Sequence, residues 1–503
     1  MIPLEYRLRE SVRLEPGPDG EWRVVCESPL NVLRINESAA RLVRRTSQGA
    51  SVADLAAEVG ATEEHILGLC ERFRSRGILE VARVAAETGF TPSVTVIVPT
   101  RDRVSDLEEC MGALRGLDYP GDRIELVVVD DGSADPEAVA EVAARHGVRL
   151  LVNDSNRGPS YSRNRAAGAA IGASAGAAPG EATGEILAFM DSDCVASAGW
   201  LRELTSYFAW DRVGAVGGRT VGYYTDSWLD RYEEVGSPLD MGRYLRLEAQ
   251  GADTFYVPTC NLLVRREVFR TLGGLREDLR MGEDVDFCWR LRAQGHYLVY
   301  APEGVVRHKH RSRLGPMLRR RAGYGTSEAA LYALHPDKRK RLPREPAPLA
   351  TAALLSAAVI ARQPRLVGAA LIPALWDASR RTRRLHESVV DLPTQRVWFS
   401  VARGHLSMLY FAYFHLVRYY LGPLAAAGIL SRGMRRFAAL AALYAGTVDY
   451  ATRRPRLAYP TYLAYYLAEH TAYQAGVVAG CVRAGTFRSY LLTLQQPASR
   501  QEP

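Results

Sequence analysis

Residues 1–88 alternate short strand-like stretches with short amphipathic helices. The stretches Arg7–Leu14 and Trp22–Glu27 have the pattern of strands, and the segment from Pro16 to Gly20 between them is rich in turn formers. Three helices follow, because polar capping residues and glycines interrupt the apolar periodicity at helix-length intervals. The first is predicted to run from Asn36 to Gly49, the second from Ser51 to Gly60, and the third from Thr62 to Gly77. This pattern predicts a small N-terminal domain.

The pattern changes in residues 91–335, where uninterrupted apolar runs alternate with helical periodicity. Val94–Val98, Leu126–Val129 and Ile186–Met190 are such runs. Continuous apolar strands are expected when helices cover both faces of a parallel sheet, and alternating strands and helices are typical of α/β folds. The stretch Gly172–Gly184 is rich in alanine, glycine and serine and predicts a surface loop. We therefore expect a second, α/β domain.

In residues 345–503, long apolar runs are broken by arginines and prolines. Ala347–Ala361 and Leu366–Trp376 are examples, and 12 of the 25 tyrosines follow residue 400. None of the runs reaches the roughly 18 uncharged residues that a membrane-spanning helix needs. Shorter apolar helices flanked by tyrosine and arginine are typical of interfacial or re-entrant segments, although an ordinary helical bundle has the same pattern. We expect a helical, membrane-associating region.

Charge is distributed unevenly along the chain, whose formal net charge is +8. Residues 301–503 contain 30 Lys and Arg against 10 Asp and Glu, a net of +20, which leaves −12 for residues 1–300. A basic region suits an anionic surface, either a cytoplasmic membrane leaflet or nucleic acid. Because the basic residues are interleaved with apolar runs, the inner face of the cell membrane is the favoured partner.

Strands followed by three short helices also fit a winged-helix DNA-binding domain. Residues 1–85 contain 12 Arg, no Lys and 13 Asp or Glu, a net of −1, whereas DNA binding requires a basic face. The composition therefore argues against nucleic acid as a partner. Seven cysteines without C-x-x-C pairs, and a beginning without a basic segment followed by an apolar one, indicate a reducing, cytoplasmic location.

Polar residues follow the first two predicted strands of the central domain. Pro99-Thr100-Arg101 comes after Val94–Val98, and Asp130-Asp131-Gly132-Ser133 comes after Leu126–Val129. Ligands of open α/β sheets bind at the carboxyl ends of strands, where a carboxylate can accept a hydrogen bond from the imide N–H of uracil. The alternatives are a plain strand-to-helix turn for the first stretch and a helix-capping turn for the second.

Asp191-Ser192-Asp193 follows the apolar run Ile186–Met190. Two carboxylates after a buried strand are costly unless a cation pairs with them. Mg²⁺ or Mn²⁺ prefers oxygen ligands and usually keeps substrate phosphates in its coordination shell. A D-x-D tripeptide is also common by chance, but its position behind a hydrophobic strand and downstream of the other two stretches favours a metal site.

Gly282-Glu283-Asp284 opens a predicted helix whose apolar face includes Phe287 and Leu291. A carboxylate at this place can act as a general base, taking the proton from an acceptor hydroxyl. Acidic residues in the first turn of a helix are also ordinary capping chemistry, and the two roles are compatible.

Together with Asn156-Arg157-Gly158 and Ser162-Arg163-Asn164, these stretches occur in the order found in family-2 glycosyltransferases with the GT-A fold. The resemblance covers about residues 92–330. It implies an α/β, Rossmann-like nucleotide-sugar domain that uses a UDP-sugar donor and Mg²⁺ or Mn²⁺, and that inverts the anomeric centre. The Q-x-x-R-W signature of processive members does not occur, which argues against long-chain synthesis.

The resemblance also implies roles for individual residues. Asp284 is the catalytic base and Asp193 is the principal metal ligand, with His308 and His310 as candidates to approach the metal. The nucleotide-sugar is bound by Pro99, Thr100, Arg101, Asp131, Arg163 and Asp191. The acceptor or the diphosphate is contacted by Asn261, Glu283, Arg319, Arg321 and Tyr324.

The N-terminal pattern resembles the PqqD-like domains, which recognise leader peptides. The resemblance is carried by Ser28-Pro29-Leu30, Leu33–Ala39, Gly49, Leu55-Ala56 and Arg76–Leu79. It implies that a peptide adds a strand at the sheet edge near Arg23–Glu27, with the helix Glu63–Ser75 as one wall of the groove.

A PqqD-like domain fused to this transferase and to a tyrosine-rich helical tail resembles the glycosyltransferases of the mycofactocin system. That resemblance implies UDP-glucose as the donor and a peptide-derived redox cofactor as the acceptor. Two alternatives stay open at this point. One is a membrane-side glycosyltransferase that acts on a lipid or cell-wall acceptor, and the other is a peptide-binding scaffold without activity.

Overall fold

The computed structural model describes residues 4–17, 21–27, 30–84, 90–168, 182–249, 253–338, 340–342, 345–387 and 392–494. Most of the loop predicted over Gly172–Gly184 lies outside the described residues. The described residues form an N-terminal unit of small sheets and helices, a central sheet flanked by helices, and a C-terminal helical region.

The N-terminal unit contains two three-stranded sheets and three helices. Its elements are β1 Leu4–Leu8, β2 Val12–Pro16, β3 Trp22–Glu27, β4 Leu30–Ile35, α1 Glu37–Arg45, β5 Ala50–Ser51, α2 Val52–Val59, α3 Glu63–Ser75 and β6 Leu79–Val84. The single strand predicted over Arg7–Leu14 is wrong, because β1 pairs with β5 and β6 whereas β2 pairs with β3. The side chains of Ser51 and Thr62 cap α2 and α3, as predicted.

Strand β3 is the middle strand of the sheet β2-β3-β4 and is hydrogen-bonded on both sides. Strand β3 itself therefore has no open edge, and the outer strands of this sheet are β2 and β4. Addition of a peptide strand at the sheet edge near Arg23–Glu27 stays a prediction. Helix α3, the predicted groove wall, reaches the central domain through ion pairs of Glu64 with Arg212 (3.2 Å) and Arg74 with Glu248 (3.8 Å). The hydrophobic core of the N-terminal unit is continuous with that of the central domain.

The central domain is built on one mixed nine-stranded sheet. Its elements are β7 Val94–Thr100, α4 Val104–Arg115, β8 Ile124–Asp130, α5 Pro136–Arg145, β9 Arg149–Val152, α6 Pro159–Ala167, β10 Ile186–Phe189, β11 Cys194–Ala196, α7 Trp200–Thr205, β12 Val213–Gly222, α8 Trp228–Gly236, β13 Arg246–Glu248, β14 Leu262–Arg265, α9 Arg266–Thr271, α10 Glu283–Ala293 and β15 Tyr297–His308. The strand order is β11-β15-β12-β14-β10-β7-β8-β9, with β13 paired to β15.

Four neighbouring strands of this sheet, β10, β7, β8 and β9, run parallel. All residues of β7 and β10 are buried, as expected for strands covered on both faces. Since the carboxyl ends of parallel strands meet at one edge of the sheet, the polar segments that follow β7, β8 and β10 are brought side by side.

The C-terminal region is helical apart from two short strands. Its elements are α11 Leu314–Thr326, α12 Glu328–Leu334, β16 Arg341–Leu342, α13 Pro346–Ala361, α14 Pro364–Glu387, α15 Thr394–Leu430, α16 Arg432–Arg453, α17 Tyr459–Ala484 and β17 Thr493–Leu494. In the described part of the chain, none of the helices combines the length and the apolar content required to cross a bilayer.

Helices α11 and α17 approach each other closely because glycines lie at their contact. A Cβ atom on Gly476 would lie 1.9 Å from the carbonyl oxygen of Ala322, and one on Gly480 would lie 2.4 Å from that of Thr326. Only a residue without a side chain allows this backbone contact. The contact fixes α11, and with it the side chains that α11 presents to the central domain.

Candidate active site

The segments that follow β7, β8 and β10 open onto one cavity of about 1220 Å³. Asp131, which follows β8, donates its backbone N–H to the carbonyl of Thr100 at the end of β7 (2.9 Å). Pro99, Thr100 and Arg101, which are predicted to bind the donor, all line the cavity. Asp131, Asp191 and Asp193 line it as well, so the topology brings together stretches that are far apart in sequence.

Asp131 organises the loop that precedes α6. Its Oδ1 accepts hydrogen bonds from the side-chain amide of Asn153 (2.8 Å) and the backbone N–H of Arg157 (2.9 Å), and its Oδ2 accepts from the backbone N–H of Gly158 (2.8 Å). Gly132 has a φ of 71°, and a Cβ there would lie 2.8 Å from this loop's backbone. A carboxylate has about four acceptor positions, so Asp131 keeps limited capacity for a ligand.

Arg163 connects the D-x-D segment to the start of α10. Its side chain is 2 % exposed, contacts the carboxylate of Asp191, and lies 3.4 Å from Oε1 of Glu283. Burial alone would raise the pKa of Asp191, but Arg163 and then His308 outweigh it, so this pKa is lowered. Burial raises the pKa of Glu283, and Arg163 only partly opposes the change. The buried guanidinium of Arg163 thus joins two partly exposed carboxylates into one charge cluster in the cavity wall.

Asp193 faces two arginines and a histidine. Its Oδ2 lies 2.8 Å from Nη1 of Arg103 and 3.4 Å from Nη1 of Arg311, and its Oδ1 lies 3.6 Å from Nε2 of His308. Burial lowers the pKa of His308 despite the nearby Asp193 and Asp191, so the imidazole is neutral at pH 7 and able to bind a metal. His310 instead contacts Asp230 at 2.9 Å.

The residues around Asp193 are suited to a metal ion whose coordination is completed by a bound substrate. Within the described ranges, no group of three or more His, Cys, Asp and Glu side chains has the arrangement of a complete metal site. Mg²⁺ is usually bound by one or two carboxylates, while substrate phosphates and water supply the remaining ligands. The carboxylate of Asp193 and the imidazole of His308, 3.6 Å apart, are a donor pair of that partial kind.

Asp284 lies in the first turn of α10, directly after the left-handed Gly282 (φ 84°) and Glu283. Its Oδ1 accepts the backbone N–H of Val285 at 2.8 Å. Burial, and then the neighbouring carboxylate of Glu283, raise the pKa of Asp284 to about 7. A general base is most effective when its pKa lies near the working pH, so this carboxylate is suited to accept a proton at neutral pH.

Three of the residues that are predicted to contact the acceptor or the diphosphate have other positions or partners in the structure. The buried side chain of Asn261 accepts from Nε1 of Trp200 (2.8 Å) and donates to the carbonyls of Arg219 (3.1 Å) and Gly304 (3.0 Å), so it ties strands together away from the cavity. Arg319 is exposed and does not line the cavity.

Arg321 does border the cavity, but its guanidinium is engaged in buried ion pairs. It lies 2.7 Å from the carboxylate of Glu233 on α8 and 3.3 Å from that of Glu469 on α17. These contacts join α8, α11 and α17, so Arg321 holds the cavity wall together.

Arg320 and Tyr324, one helical turn apart on α11, both line the cavity. Nε of Arg320 donates to the hydroxyl of Tyr324 at 3.1 Å. Burial would lower the pKa of Arg320, but Tyr324, Asp191 and Asp193 raise it. Tyr324 is one of the predicted site residues and Arg320 is not, although the i, i+4 spacing of Arg320 from Tyr324 is a signal in the sequence that points to it.

The cavity continues from Asp284 into the C-terminal region. Arg418 lines this part together with aromatic side chains of α15 and α17. These aromatic residues are Tyr410, Phe411, Phe414, Tyr419 and Tyr473. These residues are not predicted from the sequence, because they lie in no recognisable motif.

Similar proteins are found among solved structures and among curated sequences. The mannosyltransferase PcManGT from Pyrobaculum calidifontis gives a TM-score of 0.40 at 21 % identity, covering 71 % of this chain and 97 % of that chain. Glycosyltransferase AglE of Haloferax volcanii is 26 % identical over 258 residues, 49 % of this chain and 76 % of the relative. Pre-mycofactocin glycosyltransferase of Mycobacterium tuberculosis H37Rv is 33 % identical over 401 residues, 78 % of this chain and 80 % of the relative.

Family profiles match the region that contains the cavity. The profile described as Glycosyl transferase family 2 matches residues 95–273, and that described as Glycosyl transferase family group 2 matches residues 186–451, more than half of the chain. The matches confirm the predicted α/β GT-A class and the predicted enzyme class. The chain belongs to glycosyltransferase family 2.

Proposed function

We propose that this enzyme transfers glucose from UDP-glucose to a hydroxyl group of a peptide-derived redox cofactor of the mycofactocin type, with inversion at the anomeric carbon. The observation that carries the proposal is the convergence of Asp191, Asp193 and Asp284 on one cavity. The acceptor class is supported by the 33 % identity to a protein named Pre-mycofactocin glycosyltransferase, which extends over 78 % of this chain.

The uracil base is proposed to bind at the ends of β7 and β8. Oγ1 of Thr100 is buried and has no hydrogen-bond partner among the described residues. Oδ2 of Asp131 accepts one backbone hydrogen bond and can accept another from the imide N–H of the base. Arg101 lines the same part of the cavity.

Asp193 is proposed to hold Mg²⁺ or Mn²⁺, with Asp191 and His308 beside it. Such an ion, when bound, stabilises the negative charge that develops on the departing UDP. Arg320 and Arg311 border the same region of the cavity and add positive charge that is already in place before the reaction.

Asp284 is proposed to take the proton from the acceptor hydroxyl. The oxygen then attacks the anomeric carbon while the bond to UDP breaks on the opposite side, so an α-linked donor yields a β-linked product. Asp191 and Glu283 are both held by Arg163, which leaves the neighbouring carboxylate of Asp284 available to the acceptor. A single displacement is therefore favoured over a covalent intermediate.

The C-terminal region is proposed to bind the enzyme to an anionic membrane surface. Helix α14 exposes large apolar side chains over three successive turns, namely Val367, Leu371, Ile372, Leu375 and Trp376. Exposed arginines at 380, 383 and 384 follow directly. An apolar helical face combined with basic residues is typical of helices that lie in the plane of the membrane interface.

Release of UDP from UDP-glucose in the presence of Mn²⁺ tests the catalytic part of the proposal. Asp284→Asn and Asp193→Ala are expected to lower the rate by about 100-fold or more. Asp118→Asn is the matched control, since Asp118 is exposed and does not line the cavity. An Asp284→Asn enzyme as active as the wild type would contradict the proposed base, and a wild type without activity would favour the scaffold hypothesis.

The acceptor is tested with extracts from cells that lack this protein. The enzyme and ¹³C-labelled UDP-glucose are added, and the products are analysed by mass spectrometry and NMR. Labelled, β-linked hexose on a peptide-derived small molecule would support the proposal. Label found only in lipid or cell-wall material would instead support the membrane-acceptor alternative.

A further inference from the structure

We infer that Arg103 is a positioning residue for the proposed metal ligand Asp193, and that it acts as one link of a closed polar ring around that aspartate. The polar ring consists of Asp193, Lys309, Asp106 and Arg103. This inference rests on the proposed binding of Mg²⁺ or Mn²⁺ at Asp193, and it adds the side chains that fix the orientation of the ligand.

The polar ring joins three segments that are far apart in sequence. The backbone N–H of Lys309, the residue after β15, donates to the carbonyl of Asp193 at 2.8 Å. Nζ of Lys309 contacts Oδ1 of Asp106 on α4 at 2.9 Å. Oδ2 of Asp106 lies 3.1 Å from Nη1 of Arg103, and the same Nη1 donates to Oδ2 of Asp193 at 2.8 Å. Both the backbone and the side chain of Asp193 are therefore held.

The contacts of the polar ring leave one oxygen of Asp193 for a cation. Arg103 and, at 3.4 Å, Arg311 both face Oδ2, whereas Oδ1 lies 3.6 Å from Nε2 of His308. Ligands of a metal ion are usually oriented by hydrogen bonds from a surrounding layer of residues. The hydrogen bond from Arg103 to Oδ2 restricts rotation of the carboxylate, so that Oδ1 stays directed at the imidazole.

Lys309 also fixes the imidazole, because it directly follows His308 in the chain. Its side chain is 10 % exposed and is held by two carboxylates, that of Asp106 and, at 2.6 Å, that of Glu109. The start of α4 and the end of β15 are thus tied to each other as well as to the D-x-D segment. Since Glu109 holds Lys309 independently of Asp106, a change at Asp106 weakens the polar ring without releasing Lys309.

Binding of Mn²⁺ to the full-length protein, measured by electron paramagnetic resonance with and without UDP, tests the inference. Asp193→Ala should abolish binding at this site. Arg103→Met should weaken Mn²⁺ binding by about tenfold or more, the loss expected when a residue that orients a metal ligand is removed. Arg103→Lys should recover part of the affinity, because an ammonium can still form a charge-assisted hydrogen bond with Oδ2.

Asp106→Asn tests whether the whole polar ring acts on Asp193. Asp106 neither contacts Asp193 nor lines the cavity, yet its replacement should weaken Mn²⁺ binding, by less than Arg103→Met does. Combined with Arg103→Met, it should have little further effect, because Asp106 acts through that arginine. Additive losses in the double variant would contradict the polar ring.

Arg307→Met is the matched control, because Arg307 is exposed beside His308 on β15 and does not line the cavity. It removes the same charge and should leave the Mn²⁺ affinity nearly unchanged. Thermal melting without Mn²⁺ checks that each variant is folded. A folded Arg103→Met protein that binds Mn²⁺ as tightly as the wild type, or more tightly, would overturn the role of Arg103 alone. Unchanged binding in Asp193→Ala would instead reject the proposed metal site itself.

Discussion

The guanidinium of Arg163 lies 3.4 Å from the carboxylate of Glu283, a residue 120 positions further along the chain. The same guanidinium contacts Asp191, so one buried cation connects the donor-side D-x-D segment to the helix that carries the proposed base. Without it, the carboxylates of Asp191 and Glu283 would repel each other and raise each other's pKa.

Replacing Arg163 should therefore affect both stability and catalysis. Removing one partner from a fully buried ion pair leaves an uncompensated charge and costs about 3–5 kcal/mol, and the lower end of this range applies here because Asp191 is 31 % exposed. We expect Arg163→Met to lower the free energy of unfolding by this order in urea denaturation, and to abolish UDP release from UDP-glucose. Arg202→Met, which removes an exposed pair with Asp118, should cost less than about 1 kcal/mol. Equal losses in the two variants would contradict the buried cluster.

The raised pKa of Asp284 predicts the pH dependence of the reaction. The base acts in its deprotonated form, so kcat/KM should rise with pH through about 7 and level off above that value. The profile is measured with UDP-glucose and the acceptor across pH 5 to 9, a range chosen to bracket the ordinary values of carboxyl and imidazole groups. A rate that is constant across this range would argue against Asp284 as the base.

The same pKa predicts a cost in stability. A carboxyl group whose pKa is higher in the folded than in the unfolded chain makes folding less favourable as pH rises from its unfolded value towards its folded value. For Asp284 this interval runs from 3.8 to about 7. Asp284→Asn should therefore melt at a higher temperature than the wild type at pH 8, and the difference should shrink towards pH 4. A difference that grows on acidification would contradict the raised pKa.

Arg320 and Arg319 are neighbours on α11, and both side chains are exposed, but only Arg320 lines the cavity. Asp191 and Asp193 of the D-x-D segment raise the pKa of Arg320. We expect Arg320→Met to lower kcat by about 10- to 100-fold through lost stabilisation of the departing diphosphate, and Arg319→Met to change it little. Steady-state kinetics with UDP-glucose measure both. The reverse ranking would place the catalytic arginine on the other face of the helix.

The convergence of the proposed donor-side residues on one cavity could be predicted from sequence, because these residues follow continuous apolar strands. The strand order places the ends of β7, β8 and β10 together, and local motifs identify Asp131, Asp191 and Asp193. The acceptor side could not be predicted in the same way. Its residues lie on long helices of no regular motif, and their positions depend on how α11, α15 and α17 pack. For Asn261 the prediction fails in the opposite way. Its place in the sequence resembles a motif, but its side chain forms structural hydrogen bonds with Trp200 and Gly304.

The contact between α11 and α17 depends on Gly476. A Cβ atom there would lie 1.9 Å from the backbone oxygen of Ala322, so Gly476→Ala must separate the helices. We expect a loss of about 1–3 kcal/mol in the free energy of unfolding, together with lower activity because α11 carries Arg320 and Tyr324. Gly404→Ala is the control, since a Cβ at this helical glycine meets nothing within 4 Å and should be neutral or stabilising. Equal stability of both variants would contradict the close contact.

Membrane binding by α14 should depend on its exposed apolar side chains and on salt. Burying a large apolar side chain contributes about 1.5–3 kcal/mol, so Leu371→Ser combined with Trp376→Ser should reduce co-sedimentation with phosphatidylglycerol vesicles by tenfold or more, at about 1.4 kcal/mol per factor of ten. Trp228→Ser is the matched control, because Trp228 is a 64 % exposed tryptophan of the central domain. Binding should also weaken as salt is added and be weaker on neutral phosphatidylcholine, since the arginines at 380, 383 and 384 attract anionic head groups. Wild-type protein that stays in the supernatant with both kinds of vesicle would contradict the proposed membrane binding by α14.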